Sequence, residues 1–398
     1  MERKRNLSVG LIFVAVIGAL GIAQNAFERR AAAQAKGAVM APRFEVDPAF
    51  PKPLPNHWYM GQTIGLGIDA NDHVWIVHRP DSVSGPTEAA LDDKTGECCA
   101  KAPPVLEFDQ AGNLLRHWGG SDGDGYQWPL SNHGVTIDHR GNVWIGGNGR
   151  GDAHVLKFTQ DGKFLAQYGK KGLPVDSNST EHFGQVAKIF VDPKANEAYI
   201  ADGYGNKRVA VIDADTGTFK RYWGAYGNKP DDTPIGRYNP DEPLIKQFRT
   251  PVHCSELSND GLVYVCDRPN DRIQVFKSDG TFVKEKQIAP RTLGDGSVWD
   301  IAFSKDPQQK YMYLCDGKNE KVYIMDRQSL EILTSFGDGG RQPGQFYAVH
   351  SIAVDSKGNI YTTETYDGRR LQRFMYKGLQ MIEKGKDQGT VWPRSTSN

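Results

Sequence analysis

The sequence predicts an all-β protein, a six-bladed β-propeller preceded by a short N-terminal apolar segment, and three observations carry this. One pattern recurs six times: an alternating apolar strand, a polar turn with glycine, a second apolar strand, then a turn and a third strand. Between the recurrences, strands end on an aromatic followed by glycine, at Trp118-Gly119, Tyr168-Gly169, Trp223-Gly224 and Phe336-Gly337. No long amphipathic helical pattern competes, and 44 glycines and 22 prolines in 398 residues supply the many turns such a fold needs.

The six units begin at Gly65 (GLGIDANDHVWIVHRP), His133 (HGVTIDHRGNVWIGGN), Ala187 (AKIFVDPKANEAYIADGY), His253 (HCSELSNDGLVYVCDRPNDRIQVF), Trp299 (WDIAFSKDPQQKYMYLCDGKNEKVYIM) and His350 (HSIAVDSKGNIYTTETYDGRRLQRF). Four strands per unit, at a spacing of about 45 to 70 residues, is the signature of propeller blades rather than of a sandwich or solenoid.

Ahead of the units, Met1–Arg5 is basic, Leu7–Ala23 is almost unbrokenly apolar, and Ala33, Gln34 and Ala35 offer a small-x-small cleavage site. That is the order of a secretory signal peptide. Continued to Phe27, residues 7–27 are also just long enough for an uncleaved membrane anchor. Either reading exports the remainder, as a periplasmic or secreted protein. The expected organisation is residues 1–35 as signal or anchor, 36–59 as linker, 60–385 as propeller and 386–398 as tail. With 48 basic against 48 acidic residues, no global field attracts nucleic acid, and membrane contact is expected only through the first segment. At 38% hydrophobic residues, a multi-span membrane protein is excluded.

The five cysteines are too few for a disulfide framework. Cys266 and Cys315 precede an Asp at matching places in neighbouring units, so a Cys266–Cys315 bridge and two buried unpaired thiols are both open readings. Cys98-Cys99 lies in an insertion of blade one, roughly 81–104, read first as a structural loop, with a cover over the channel mouth and vicinal thiols that bind a soft metal or form a local disulfide as the other readings.

The repeat also aligns a column, five residues before the Asp or Ser that closes the first strand of each unit. In blade order it holds Ile64, His133, Ala187, His253, Trp299 and His350. Histidine takes alternate blades only, although the chain has just 10 histidines. First strands line a propeller's channel, so three imidazoles a third of a turn apart converge on the axis. Three nitrogen donors with an open fourth place suit Zn²⁺ in its catalytic arrangement, while ligand type alone also admits copper. The plainer alternative is a set of polar channel residues.

The second strand returns to the same mouth, and there stand His78-Arg79, Asp202-Gly203-Tyr204 and Asp267-Arg268. Arg79 and Arg268 suit a carboxylate taken by a planar fork, and Tyr204 is placed to approach whatever the metal holds. Asp202, Asp267, Asp316 and Glu364 recur in this column and read as turn caps.

The repeats "GQFYAVHSIAVDSKGNIYTTE" and "LVYVCDRPNDRIQVFKSDGTFV" resemble the NHL type over roughly residues 60–380. Within that type, "NHGVTIDHRGNVWI", "ADGYGNKRV", "TPVHCSELSNDGLVYVCDRPNDRIQVF", "VHSIAVDSKGNIYTTE" and "GLGIDANDHVWIVHRPD" resemble the peptidyl-α-hydroxyglycine α-amidating lyases. The resemblance implies that His133, His253 and His350 bind Zn²⁺, that Tyr204 is the general base, and that Arg79 and Arg268 hold the substrate's carboxylate. It implies cleavage of a peptidyl-α-hydroxyglycine to a peptide amide and glyoxylate, with a small-molecule or peptide substrate as partner. The family's structural Ca²⁺ is put in doubt, because Ser351 stands where an Asp is expected directly after the third zinc histidine. The family's paired cysteines near the tyrosine and second arginine are missing as well, with Gly205 and Val275 at those places. An alternative function is an extracytoplasmic NHL binding or scaffold module whose channel metal is structural or absent. A calcium-dependent lactonase-type hydrolase is weaker, since it wants carboxylate and amide ligands in the histidine column.

Overall fold

Each blade is a four-stranded antiparallel sheet whose second strand is buried on both faces, as in Val143–Gly147, Glu197–Asp202 and Tyr311–Asp316, while an outer strand such as Leu114–Trp118 alternates half-buried and exposed residues. The computed structural model describes residues 37–83 and 98–393. The expected signal or anchor, and most of the blade-one insertion, lie outside the described residues; none of the described helices is long and apolar enough to cross a membrane.

The innermost strands are Gln62–Ile68, Asn132–Ile137, Val186–Asp192, Val252–Leu257, Asp300–Phe303 and Val349–Val354. Each pairs with a second strand, those of blades one, three and four being Val74–Arg79, Glu197–Asp202 and Leu262–Asp267. The hairpin between them is fixed by the closing Asp. Asp138 accepts the backbone N–H of Arg140 and Asn142, the Asn142 amide and the Trp144 indole N–H. Asp355 does the same for Lys357, Asn359 and the Tyr361 hydroxyl. The recurring D-x-x-G-N pattern is therefore a turn cap that also anchors the aromatic of the second strand.

Between consecutive blades lies one apolar cluster each, six in all around the ring. Trp75, Trp144, Tyr199, Tyr264, Tyr313 and Tyr361, one from each second strand, are all buried there. Because every blade buries both faces, the ring has to close, and the closure corrects one expectation. The stretch read as linker holds a strand, Ala38–Asp47, that pairs antiparallel with Leu371–Glu383 and completes blade six as its outermost strand. The tail also takes part, since Val46 N–H bonds to the Val391 carbonyl and Val391 is buried.

The cysteine expectation is corrected too. Cys254 bridges to Cys266, directly across the first hairpin of blade four, and Cys315 is free and buried. Cys266 belongs to the cluster between blades four and five, whereas Cys315 belongs to the next cluster round. Equivalent positions of neighbouring blades face different interfaces and do not meet. Cys98 and Cys99 are bonded to each other where the insertion re-enters the described chain.

Phe44 tests the closure. It is buried in blade six against Tyr313, Phe336 and Tyr376. Phe44→Ala is expected to cost about 3–5 kcal/mol in denaturant unfolding, the loss for an aromatic cut from a packed core; a far smaller loss would mean that the N-terminal strand does not hold the ring shut.

Candidate metal centre and catalytic site

His133, His253 and His350 open the inner strands of blades two, four and six, and each is 2% exposed. Their ring centroids stand 4.7–5.1 Å apart. One nitrogen of each is spent outward. His133 Nδ1 lies 2.7 Å from the Ala187 carbonyl, His253 Nδ1 2.5 Å from that of Trp299, and His350 Nδ1 3.0 Å from that of Ile64. These carbonyls belong to the three non-histidine members of the same column, each in the next blade. A carbonyl only accepts, so Nδ1 carries the proton and Nε2 is left as a bare lone pair. Burial pushes all three imidazoles well below their ordinary pKa, and the nearby Arg79 and Arg268 or the other imidazoles push the same way.

Tyr204 reaches this group from blade three, its hydroxyl 2.9 Å from His133 Nε2 and 3.1 Å from His253 Nε2. It stands there because Gly203 lets the turn ride on the histidine strand of blade four: a Cβ at Gly203 would lie 2.0 Å from the Val252 carbonyl oxygen, and Val252 N–H bonds back to the Gly203 carbonyl. Asp202 caps the turn, accepting from Gly184 N–H, Asn206 and Arg208. Asp267 and Glu364 act alike with Arg272 and Arg370, so these buried acids are spent on structure, as expected.

The donor set fits a metal ion. Three histidine ligand atoms lie within 4.8 Å of one another, their lone pairs face inward, and the phenol has one proton for the two imidazoles that it touches. A divalent cation satisfies all three at once. Neutral imidazoles on three sides, with no carboxylate in the set, are the donors of a three-histidine zinc site with a free coordination place. Calcium does not fit: Ser351 contributes a hydroxyl in place of a carboxylate, and Lys188 Nζ already occupies the carboxylates of Asp300 and Glu256 below the histidines. Hard-oxygen ligands in number are absent from the described channel.

The two arginines flank the group. Arg268 Nη1 is 3.4 Å from the Tyr204 hydroxyl, its guanidinium lies 4.4 Å from the Trp299 ring centroid, and its Nε is buried with no partner. Among the described residues the acid paired with it is Asp295, at 3.5 Å. Arg79 spends three N–H donors on neutral acceptors, the Asn132 carbonyl at 3.0 Å, Gln62 Oε1 at 3.0 Å and Asn148 Oδ1 at 2.8 Å. Burial pulls it below its usual value. Each arginine lines an open cleft, of about 560 Å³ at Arg79 and about 590 Å³ at Arg268.

Some participants had no reading in the sequence. Trp299, 1% exposed, packs its ring against His253 and His350 and carries Arg268; its place in the histidine column was the available signal. Tyr366, joined to Asp295 at 3.0 Å, follows Glu364 by two as Tyr204 follows Asp202, so its register was an available signal, whereas Asp295 sits on a loop between units, where no pattern marks it.

No protein-family model matches the chain. Among curated proteins it is similar to peptidyl-glycine alpha-amidating monooxygenase A of Xenopus laevis, 26% identical over 319 residues, 77% of this chain and 31% of that one. It thus spans about a third of that relative's length. It is similar to the probable peptidyl-alpha-hydroxyglycine alpha-amidating lyase pgal-1 of Caenorhabditis elegans, 24% identical over 79% of this chain and 82% of that one. It is likewise similar to NHL repeat-containing protein 3 of Mus musculus, 25% identical over 84% of each chain. The chain is a six-bladed propeller with amidating-lyase and NHL-repeat relatives.

His253→Ala removes one of three ligands and the Nδ1 bond to Trp299. Plasma mass spectrometry is expected to find about one zinc per wild-type chain and little or none in the variant, with the β-sheet circular dichroism retained. Equal metal in both would dismiss the trio as a binding site.

Proposed function

We propose that this chain is an exported zinc-dependent lyase that cleaves a peptidyl-α-hydroxyglycine, or a similar carbinolamide, to an amide and glyoxylate. The observation that carries the reading is the convergence of three neutral imidazoles on Tyr204, with two arginines beside them. Amidating-lyase relatives support the same chemistry. Export is supported by the apolar N-terminal run and by the Cys254–Cys266 bridge, which an oxidising compartment sustains.

Zinc held by His133, His253 and His350 would supply Lewis acidity toward the substrate's oxygen. The remaining work falls to the chain. Tyr204, once its own proton has gone to solvent, takes as a phenolate the proton of the substrate hydroxyl. The electron pair left on that oxygen becomes the carbonyl of glyoxylate as the C–N bond breaks, and the departing amide nitrogen takes up a proton, returned from Tyr204. No covalent nucleophile is required. Arg79 retains two N–H donors beyond the three already engaged, and Arg268 has only a distant acid to satisfy it, so both can grip the glycolate carboxylate. Anchored rigidly by neutral partners, Arg79 positions without being neutralised.

The similarity to NHL repeat-containing protein 3 over most of both chains favours a second reading, a binding module. The two separate on turnover. With a hydroxyglycine peptide as substrate, glyoxylate release is expected from the wild type, and Tyr204→Phe should lower it about 10²–10⁴-fold with zinc content unchanged. Little change would reassign the base, and a zinc-loaded wild type that releases no glyoxylate would leave the binding module as the better reading.

A further inference from the structure

We infer that Lys188 is the channel's resident cation, an ammonium standing in for a bound divalent ion beneath the histidines. One residue below the histidine column the inner strands present Gly65, Gly134, Lys188, Cys254, Asp300 and Ser351. Lys188 Nζ lies 2.6 Å from Asp300 Oδ1 and 2.8 Å from Glu256 Oε1, and the three side chains are only 13%, 1% and 15% exposed. Burial alone would pull the ammonium below its ordinary pKa; the two carboxylates override it and hold Lys188 above.

Space is made for this cation. A Cβ at Gly134 would meet the Ala187 carbonyl oxygen at 2.7 Å and Lys188 Cα at 3.1 Å, so the glycine lets the lysine-bearing strand come close. The cavity left between this layer and the histidines is about 10 Å³, lined by His133, His253, Lys188, Asp300 and Ser351. That is about the space of one water, and a lining of two imidazoles, an ammonium, a hydroxyl and a carboxylate already held by Lys188 does not supply the six to eight oxygen ligands of a calcium ion.

The ammonium does what a structural ion would do. It joins the inner strands of blades three, four and five at one point, and Asp300 Oδ2 extends the tie to blade six by accepting the Ile352 N–H at 3.1 Å. The tied residues adjoin the metal centre: Ala187 and Trp299, just before Lys188 and Asp300, receive the Nδ1 protons of His133 and His253, and Ile352 follows His350 by two. A channel so fastened needs no calcium. The inference concerns the layer below the histidines and stands apart from the lyase reading.

The test is calcium calorimetry and thermal unfolding of the full chain, in millimolar calcium and in a calcium chelator. The wild type is expected to bind no calcium in the channel and to unfold at the same temperature in both. Lys188→Ala, which strands two buried carboxylates, should melt roughly 5 °C or more lower in chelator and regain most of the loss with calcium. Lys188→Arg, which keeps the charge, should stay insensitive to calcium. If Lys188→Ala does not fold in chelator, recovery of folded protein only when calcium is present gives the same support. A wild type stabilised by calcium, a Lys188→Ala chain as stable as wild type, or a destabilised or unfolded variant on which calcium has no effect would each overturn the inference.

Discussion

Each histidine of the centre gives its Nδ1 proton to a backbone carbonyl of the next blade, and the site depends on this bond being made three times. It orients the ring, selects the tautomer that leaves Nε2 bare, and stitches blade two to three, four to five and six to one. In a six-fold ring the column divides into three side chains that donate and three carbonyls that receive. Alternation limits the imidazoles at the axis to three, with Ala187, Trp299 and Ile64 between them supplying the receiving carbonyls.

The cost of gathering three imidazoles, two guanidiniums and a phenol on one axis is met by sorting the charges into layers. The acids nearest by sequence, Asp202, Asp267 and Glu364, are turned into turn caps and paired with Arg208, Arg272 and Arg370. Those three carboxylates are thereby kept from the histidines and from Arg79. Below the histidines the order reverses, with two carboxylates around one ammonium. A buried pair of this kind adds little net stability over an apolar filling, but it specifies which strands meet and at what register. That is the property a site assembled from six separate hairpins requires. The Cys254–Cys266 bridge adds a covalent tie of the same kind, locking the residue after His253 to the strand that leads into Arg268.

Much of this was legible in the chain, because a repeat writes its geometry periodically. Six matching units imply a closed ring, first strands imply a channel, and a residue type confined to alternate units implies convergence; His133, His253, His350, Tyr204, Arg79 and Arg268 were all placed at one mouth by register alone. What could not be read off was whatever depends on ring closure or on the contacts of a single blade. Cys266 and Cys315 look equivalent in the repeat, but equivalent positions face successive interfaces, and the true neighbour of Cys266 was Cys254 across its own hairpin. Ala38–Asp47 looked like linker, because nothing local says that the last blade lacks an outer strand. Asp295 lies on a loop between units, where length and composition carry no register, while Tyr366 repeats in blade six the register of Tyr204.

The sequence by itself determined the blade number, the strand order within a blade and the three-fold placement of the histidines, since each follows from local hydrogen bonding and a period of alternation. Only the tertiary structure decided which nitrogen of each imidazole faces the axis, which cysteines pair, and that Lys188 occupies the channel beneath them. The cysteine pairing turns on the register of one hairpin; the other two turn on distances of a few ångströms between strands some fifty to three hundred residues apart, which only the closed ring brings together.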